Sequence, residues 1–401
     1  MSQQHHPQKQ QQRVDPYQLI RLQKKQLNIR NICILAHIDH GKTTLSDSLI
    51  SSNGIISDKL VGKLRYLDST EEEQKRGITM HSSAISLYYN SSNNISDEYL
   101  INLIDSPGHI DFSSDVSTAI RLCDGGLIII DVLEGICTQT HAVIYKALKE
   151  GITPCLVFNK IDRLYLEMML TTTEAFYHLR RLLEQVNALC YTLLNSEIIK
   201  RNELHMESSN SCMIDYHSDR NNSNKTSTIN SSSSSQQSSS SSASTSSSTT
   251  TDEDPLFQIW SFDPDKGNLV FACAFDCWGL TTTKFANIYA KKYNVNMKIL
   301  KKYFFDDYVF NLSTKKITKY DPTKNLSSST TAACNGGVVS SDDDYENYKP
   351  MFARFILDPI WHIYDVAINK QDAKATAAYA QSEVRYACAA VLCCADVLSS
   401  Q

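Results

Sequence analysis

The chain has 401 residues, of which 42% are hydrophobic and 21% are charged, so it can bury a substantial core and is not disordered as a whole. Its formal net charge of -5 argues against a protein that coats nucleic acid, and no apolar run reaches the ~20 residues of a membrane helix. The N-terminus lacks the apolar stretch of a signal peptide, and the 12 cysteines are scattered without paired spacing. We therefore expect a reduced, cytoplasmic chain with no membrane or DNA partner.

Shifts in composition divide the chain into one interrupted α/β domain and several polar or low-complexity segments. The predicted boundaries are a leader at 1–28, the first part of the domain at 29–206, an insertion at 207–254, the last part at 255–320, a linker at 321–348 and a final segment at 349–401. The insertion consists mainly of Ser, Thr and Asn and cannot offset its ordering entropy, so we predict that it is disordered. We expect a flexible leader with a short helix near Tyr17–Gln26, and a short helical exit segment at Met351–Ile368 before an unstructured or weakly helical tail.

Within the domain, short apolar runs alternate with helical patterns, which is typical of an α/β fold with a mostly parallel sheet flanked by helices. The predicted strands are Ile32–Ala36, Leu100–Ile104, Leu127–Asp131, Cys155–Asn159 and Leu269–Ala272. The predicted helices are Thr43–Ser51, Phe112–Leu122, Thr140–Glu150 and the amphipathic run from Phe176 to Leu193.

The first predicted strand runs directly into the loop AHIDHGKTT, residues 36–44, which is close to the pattern G-x-x-x-x-G-K-[ST]. In a strand–loop–helix context, the N–H groups of such a loop can surround a polyphosphate at the positive end of the helix. Lys42 would then contact the β- and γ-phosphates, and the hydroxyl of Thr43 would bind Mg²⁺. His37 and His40 could instead be a metal pair, but their place in this loop favours the nucleotide interpretation.

Two further motifs follow later strands in the order expected for a nucleotide site. The run DSPGH starts at Asp105, whose carboxylate can hold a Mg²⁺-bound water, and includes Gly108, whose N–H can meet a γ-phosphate. The run NKID ends at Asp162, which can accept two hydrogen bonds from guanine, and the stem of Lys160 could lie over the base. Adenine lacks both of these donors, so the motif predicts discrimination against ATP.

These motifs, together with RGITM at 76–80 and FACAFDCWGL at 271–280, resemble the translational GTPases of the elongation factor 2 and elongation factor G class. The similarity is greatest to the elongation factor-like branch of that family. It covers Ile29–Arg163 strongly, Leu256–Tyr308 moderately and Lys349–Ile368 weakly. The resemblance implies a P-loop NTPase G domain that takes GTP or GDP and uses Mg²⁺ as a cofactor.

The resemblance also implies residue roles. The catalytic residues would be His109, which positions the attacking water, with Thr79, Lys42 and Asp105. Magnesium would be held by Thr43 and Thr79, and by Asp105 through water. A monovalent cation would lie near Asp39, and Ile38 and Ile78 would form an apolar gate. The phosphate-binding residues would be Ala36, His37, Ile38, Asp39, His40, Gly41, Lys42, Thr43, Thr44 and Gly108. The guanine-binding residues would be Asn159, Lys160, Asp162, Cys273, Ala274 and Phe275, with the N–H of Ala274 directed at guanine O6.

Members of this family act on ribosomes, and the elongation factor-like branch implies a more specific role. The chain would hydrolyse GTP on the large ribosomal subunit in late 60S maturation, releasing the anti-association initiation factor with the Shwachman-Bodian-Diamond protein as partner. The similarity ends soon after Lys370, so two alternatives stay open. One is a truncated G-domain module that binds GTP or GDP without ribosome-coupled turnover, and the other is a fragment of an elongation factor 2-type translocase.

Overall fold

The computed structural model describes residues 16–90, 98–108, 113–218, 255–312, 314–321 and 348–369. The chain divides into two compact units, of which the first comprises Met1–Cys190 with Ile259–Gln401 and the second comprises Tyr191–Gln258. Within the ranges that the structure describes, no helix is both long and apolar enough to cross a bilayer.

The first unit is built on a seven-stranded sheet. Its strands are β1 Ile29–Ala36, β2 Ser83–Asn90, β3 Glu98–Asp105, β4 Gly125–Asp131, β5 Thr153–Asn159, β6 Leu269–Cys273 and β7 Trp278–Leu280. They lie in the order β2-β3-β1-β4-β5-β6-β7. The five inner strands run parallel, while β2 and β7 are antiparallel edges. The predicted strands and the mostly parallel α/β fold are therefore confirmed, and the two edge strands are additions.

Helices connect the parallel strands, which need long crossovers because their ends lie on opposite edges of the sheet. They are α1 Pro16–Gln23, α2 Lys42–Ser52, α3 Glu71–Arg76, α4 Ser113–Arg121, α5 Thr138–Lys149, α6 Asp162–Leu166, α7 Thr172–Ser218, α8 Pro255–Ile259, α9 Thr282–Tyr293, α10 Met297–Tyr303 and α11 Asp358–Tyr364. Short 3₁₀ turns lie at Gln26–Asn28 and Asp58–Leu60, and π-helical turns flank α11 at Ala353–Leu357 and Asp365–Asn369. A separate antiparallel hairpin joins β8 Tyr308–Asn311 to β9 Lys316–Lys319.

The end of the predicted leader is folded rather than flexible. Helix α1 matches the short helix expected there, and its Leu22 is fully buried. Arg21 forms an ion pair with Glu98 at the start of β3. A single apolar anchor in a polar segment gives little periodic signal, so the prediction of a flexible leader is wrong for residues 16–28. Residues 1–15 lie outside the described part of the chain.

The second unit contains the C-terminal part of α7 and most of α8, and its Tyr191 and Phe257 rings pack with centroids 5.2 Å apart. Because α7 continues to Ser218, the predicted disorder from Glu207 is wrong for residues 207–218. Once a helix has nucleated, adding polar residues costs little per residue, so composition alone misplaced this boundary. The remaining insertion at 219–254, most of the predicted linker and the tail from Lys370 lie outside the described residues.

The exit segment near Met351 is part of the core of the first unit. The ring of Phe352 packs against those of Phe271 and Phe305, with centroids 4.8 Å and 4.7 Å apart. Phe176 of α7 lies against the same ring at 6.0 Å. Such aromatic contacts bury large apolar areas, so they join the exit segment to β6 and α7.

Candidate functional site

The loop after β1 has a backbone that only a few residue types tolerate. Asp39 and Gly41 have φ values of 61° and 90°, in the left-handed region. A Cβ on Gly41 would lie 2.3 Å from Nδ2 of Asn159, which donates a 2.9 Å hydrogen bond to the carbonyl of His40. The glycine is therefore required both by the turn and by the close approach of β5.

A cavity of about 390 Å³ opens over this loop. The strand register brings Ala36 of β1 beside Ile129 of β4, and Asp131 beside Asn159 of β5, so the carboxyl ends of the parallel strands meet at this edge. The lining residues are His37, Ile38, Asp39, Gly41, Lys42, Thr43, Thr44, Gly62, Arg65, Gly77, Ile78, Thr79, Gly108 and Lys160. The cavity thus unites residues from four motifs that are widely separated in sequence, namely the phosphate loop, RGITM, DSPGH and NKID. It adds Gly62 and Arg65, which lie outside those motifs.

A buried ion pair lies next to this cavity. Nζ of Lys42 donates a hydrogen bond to the carbonyl of Ser106 and lies 3.4 Å from Oδ1 of Asp105. Asp105 is fully buried, and neither of its carboxylate oxygens has a hydrogen-bond partner. Burial raises the pKa of Asp105, and Lys42 opposes that rise. A buried carboxylate without donors is costly, and a cation-bound water would satisfy it.

Two threonine side chains that line the cavity, Thr43 and Thr79, have their hydroxyls close together. Oγ1 of Thr43 at the start of α2 lies 3.2 Å from Oγ1 of Thr79, and Thr79 donates a 2.8 Å hydrogen bond to Asp68. Asp68 also accepts a 2.6 Å hydrogen bond from Nε of Arg65. A set of hydroxyl and carboxylate oxygens suits Mg²⁺, so the side chains present fit the predicted cation. Asp68 was not identified from the sequence.

The segment that carries Thr79 is held by one buried acid. Glu73 forms a capping box with Thr70 at the start of α3, and its Oε1 accepts hydrogen bonds of 2.9 Å and 3.0 Å from the N–H groups of Met80 and His81. Burial alone would raise the pKa of Glu73, but these hydrogen bonds outweigh burial and lower the pKa to about 2. The ionised form of Glu73 therefore fixes the backbone immediately after Thr79.

A second buried acid, Asp47, holds the loop that supplies Gly62 and Arg65 to the cavity. Asp47 of α2 accepts hydrogen bonds from the N–H groups of Gly62, Arg65 and Tyr66 at 3.2 Å, 3.2 Å and 2.9 Å. The loop that supplies Gly62 and Arg65 to the cavity is thereby attached to the helix that follows the phosphate loop. This contact joins residues that are remote in sequence, and no local pattern predicts it.

The predicted guanine-binding residues interact mostly with protein groups. Oδ1 of Asn159 accepts a 3.0 Å hydrogen bond from the N–H of Ala274, so that donor, expected at guanine O6, is directed at Asn159 instead. Lys160 has a φ of 62°, and its Nζ lies 2.8 Å from Oδ2 of Asp131 at the end of β4. Arg163 contacts the same oxygen at 2.9 Å. Asp131 is fully buried and was not identified from the sequence.

Asp162 lies in a compact cluster with Cys273 and Asp276. Donor atoms of the three lie within 4.8 Å of one another, and Sγ of Cys273 donates to Oδ2 of Asp276 at 3.4 Å. Burial raises the pKa of Asp162, and Cys273 opposes that rise. Phe275 is 67% exposed. Of the six residues predicted to bind guanine, only Lys160 is among the described residues that line the cavity.

Of the two histidines in the phosphate loop, only His37 lines the cavity, among the residues that the structure describes. His40 is fully buried, and its ring faces the carbonyl of Ile129 and the carboxylate of Glu134 rather than the cavity. His37 lines the cavity and contacts Gln139 of α5 through Nδ1. Any contact of His40 with a phosphate would therefore use its backbone. His109 lies outside the described residues.

Comparison with known proteins adds independent information. The chain is 44% identical over 357 residues to elongation factor-like GTPase 1 of Mus musculus, a match that covers 89% of this chain and 27% of that protein. The Homo sapiens protein of the same name gives the same identity and coverage. Ribosome assembly protein 1 of Schizosaccharomyces pombe is 38% identical over 364 residues, covering 90% of this chain and 30% of that protein. The chain thus spans less than a third of the length of these relatives.

The family model described as "Elongation factor Tu GTP binding domain" matches residues 27–318. This range includes the sheet, the phosphate loop and every element that lines the cavity. The order of the motifs, the parallel sheet and the match agree with one another. The chain therefore belongs to the elongation factor Tu GTP-binding domain family.

Proposed function

We propose that this chain binds GTP and GDP together with Mg²⁺ and hydrolyses GTP to GDP and phosphate. One observation carries the proposal. A single cavity brings together Lys42, Thr43, Thr79 and Gly108, next to the buried carboxylate of Asp105, whose oxygens have no hydrogen-bond partner. Phosphoryl transfer requires positioning and charge neutralisation more than covalent chemistry, and this set of residues suits both tasks.

In the proposed site, the N–H groups of residues 36–44 surround the phosphates, and Lys42 balances the charge of the β- and γ-phosphates. Thr43 and Thr79 hold Mg²⁺ through their hydroxyls, and Asp105 holds it through a water molecule. The bound cation would neutralise charge on the transferred phosphoryl group. Gly108 presents its N–H to the γ-phosphate, so its segment would respond to whether GTP or GDP is bound.

Hydrolysis needs an oriented water molecule, a role that we propose for His109 by family resemblance. Ile38 and Ile78 line the same cavity and would limit the access of other water molecules. Asp39, whose left-handed backbone directs it toward the cavity, would hold a monovalent cation near the phosphates. Each role can be tested by substituting the residue that would carry it.

Guanine selectivity is assigned to Asp162, whose carboxylate would accept hydrogen bonds from N1–H and the 2-amino group. The stem of Lys160 would cover one face of the base while Asp131 holds its Nζ. Asn159 would position the guanine-binding loops, because it donates a hydrogen bond to His40 of the phosphate loop and accepts one from Ala274. Cys273 and Phe275 would complete the pocket, with Cys273 turning from Asp276 toward the base.

We further propose that the chain acts in the cytoplasm on the large ribosomal subunit, contacting its RNA and proteins. The process would be late 60S maturation, in which the anti-association initiation factor is released with the Shwachman-Bodian-Diamond protein as partner. The support is the similarity to proteins named elongation factor-like GTPase 1 and ribosome assembly protein 1. The proposed release of the anti-association initiation factor, with the Shwachman-Bodian-Diamond protein as partner, rests on family resemblance.

GTP turnover measured with purified 60S subunits, 40S subunits or intact 80S ribosomes tests this proposal. We expect slow intrinsic turnover and roughly ten-fold or greater stimulation by 60S subunits, lost in His109→Ala. GTP binding without any stimulation would favour a G-domain module, an alternative suggested by the small share of the relatives' length that the chain spans. Stimulation by 80S ribosomes alone would favour a translocase fragment.

A further inference from the structure

Four potential metal ligands converge beside the nucleotide cavity. His37 and His40 come from the phosphate loop, and Glu134 and Cys137 come from the loop between β4 and α5. One donor atom from each lies within 4.8 Å of the other three. Both pairs have the three-residue spacing that is common among zinc ligands. The fold therefore joins two half-sites that lie far apart in sequence.

The two donor distances that involve His40 are close to those of a tetrahedral zinc site. Zinc bonds of about 2.0–2.2 Å to nitrogen and oxygen place neighbouring donors about 3.3 Å apart, and a bond of about 2.3 Å to sulfur places sulfur about 3.6 Å from nitrogen. Nε2 of His40 lies 3.3 Å from Oε2 of Glu134 and 3.8 Å from Sγ of Cys137. A cation could enter among these donors with only small movements of the side chains.

The surroundings of both histidines favour Nε2 as the ligating atom. Nδ1 of His40 lies 3.3 Å from the carbonyl of Ile129, and Nδ1 of His37 contacts Oε1 of Gln139. An imidazole that donates from Nδ1 to an oxygen keeps a lone pair on Nε2, which is the usual support for a metal-binding histidine. The N–H of Asp131 also lies 3.3 Å from Nδ1 of His40. That contact allows the opposite tautomer, in which Nε2 donates to Glu134 and no metal is bound.

The cluster is buried on one side and open to solvent on the other. His40 is fully buried, and its Nε2 faces the carboxylate of Glu134 and the thiol of Cys137. The side chain of Glu134 is 44% exposed and gives an entry path from solvent.

We propose that His37, His40, Glu134 and Cys137 form a binding site for a transition metal, with Zn²⁺ as the best match. Two imidazoles, one thiolate and one carboxylate are ligands that favour zinc over magnesium, so this site is distinct from the proposed Mg²⁺ position. The metal would join the phosphate loop to the start of α5. Binding would displace the thiol proton of Cys137 to solvent and leave the oxidation state of the metal unchanged.

Cobalt titration of the 401-residue chain tests this proposal, because a thiolate bound to Co²⁺ gives a near-ultraviolet charge-transfer band and tetrahedral Co²⁺ absorbs in the visible. The titration is run with excess Mg²⁺ and GDP, and repeated without GDP. The variants are Cys137→Ser and Glu134→Gln. The matched controls are Cys123→Ser, whose thiol contacts the carbonyl of Ala119, and Cys190→Ser, which removes a buried thiol of α7.

We expect one equivalent of Co²⁺ to give both signals in the wild type and in the two controls, and Zn²⁺ to displace it. Cys137→Ser should abolish the charge-transfer band, and Glu134→Gln should weaken binding by roughly ten-fold or more. No band in the wild type, or an equal band in Cys137→Ser, would overturn the proposal. The readout does not depend on GTP turnover, so its failure is distinguishable from failure of the GTPase proposal.

Discussion

The phosphate side and the guanine side of the candidate site differ in how their polar groups are satisfied. On the phosphate side, the oxygens of Asp105 lack hydrogen-bond partners, and the hydroxyls of Thr43 and Thr79 already lie 3.2 Å apart. On the guanine side, Lys160 is paired with Asp131, and Asp162 lies within a cluster of protein groups. The phosphate side therefore contains buried oxygens without hydrogen-bond partners, whereas the polar groups of the guanine side interact with other protein groups.

This difference assigns separate tasks to the two sides. The phosphate side is preorganised, so it should supply most of the affinity and dominate the effects of backbone substitutions. The guanine side must exchange protein contacts for contacts to the base, so its substitutions should change specificity more than affinity for the polyphosphate. Substitutions on each side therefore test whether the two sides differ in this way.

The largest effect is expected for Gly41→Ala. The new methyl group would lie 2.3 Å from Asn159 at a φ of 90°, so the phosphate loop must shift. We expect GDP affinity to fall by roughly 100-fold or more, as measured by fluorescent-nucleotide titration. Gly151→Ala is the matched control, because Gly151 has a φ of 73° with nothing within 4 Å. Equal affinities for the two variants would show that the loop is not rigid.

The next effect is expected for Asp162→Asn on the guanine side. Reversing the hydrogen-bonding pattern at this position should lower GTP affinity on the order of 100-fold and raise affinity for xanthosine triphosphate. Competition between the two nucleotides measures both changes. Asp276→Asn, in the same cluster, should keep the preference for GTP. Retained GTP preference in Asp162→Asn would mean that this carboxylate does not contact the base.

A substitution of Glu73 tests how the segment that carries Thr79 is held in place, because Glu73 binds the backbone of Met80 and His81 and does not line the cavity. Its pKa of about 2, against an ordinary 4.5, means that the ionised form stabilises the fold fully above about pH 4.5 and that this contribution is lost as pH falls toward 2. The shift corresponds to about 3 kcal/mol. Urea unfolding at pH 7 should show Glu73→Gln destabilised by about 2–3 kcal/mol, and the difference should shrink at lower pH.

The neighbouring Glu72→Gln is the control for that measurement. Glu72 is exposed and pairs only with Arg76 four residues later, so its loss should change the free energy of unfolding by less than about 0.5 kcal/mol. Similar losses for both variants, or a difference that is independent of pH, would contradict the role given to Glu73.

The smallest effect is expected for Tyr364→Phe on the guanine side. The hydroxyl of Tyr364 donates to Asp276 and accepts a 3.1 Å hydrogen bond from Trp278, which connects the exit segment to the loop after β6. Removing it should weaken GDP binding about two- to five-fold. Tyr191→Phe, at an exposed position, should change nothing. An unchanged affinity in Tyr364→Phe would show that the exit segment does not support the guanine side.

The strand, loop and helix of the phosphate side could be predicted from the sequence because their constraints are local. A loop that wraps phosphate needs Gly41 and Lys42 at a fixed spacing after a buried strand, and that strand is visible as an apolar run. The inner strands and the order of motifs were found for the same reason. The edge strand Trp278–Leu280 is too short to show a period, and its pairing depends on β6.

The remaining features depend on contacts between distant residues. Asp47, Asp68 and Asp131 support the cavity from positions that have no motif of their own, and each is identified only by its partners in the fold. The sequence showed His37 and His40 as a possible metal pair, but Glu134 and Cys137 become their neighbours only when β1 and β4 pair. The family resemblance also implied that the N–H of Ala274 faces the base, whereas this N–H donates a hydrogen bond to Asn159.

We propose that four separate stretches of this chain, residues 36–44, 76–80, 105–109 and 159–162, form one magnesium-dependent site for a guanine nucleotide. Calorimetric titration of the purified chain with GDP, with Mg²⁺ and then with excess chelator, tests it most directly. We expect saturable binding of one GDP per chain that weakens markedly when Mg²⁺ is removed and by roughly 100-fold or more in Gly41→Ala. Saturable binding that Gly41→Ala leaves intact, or no GDP binding at all with Mg²⁺ present, would contradict it.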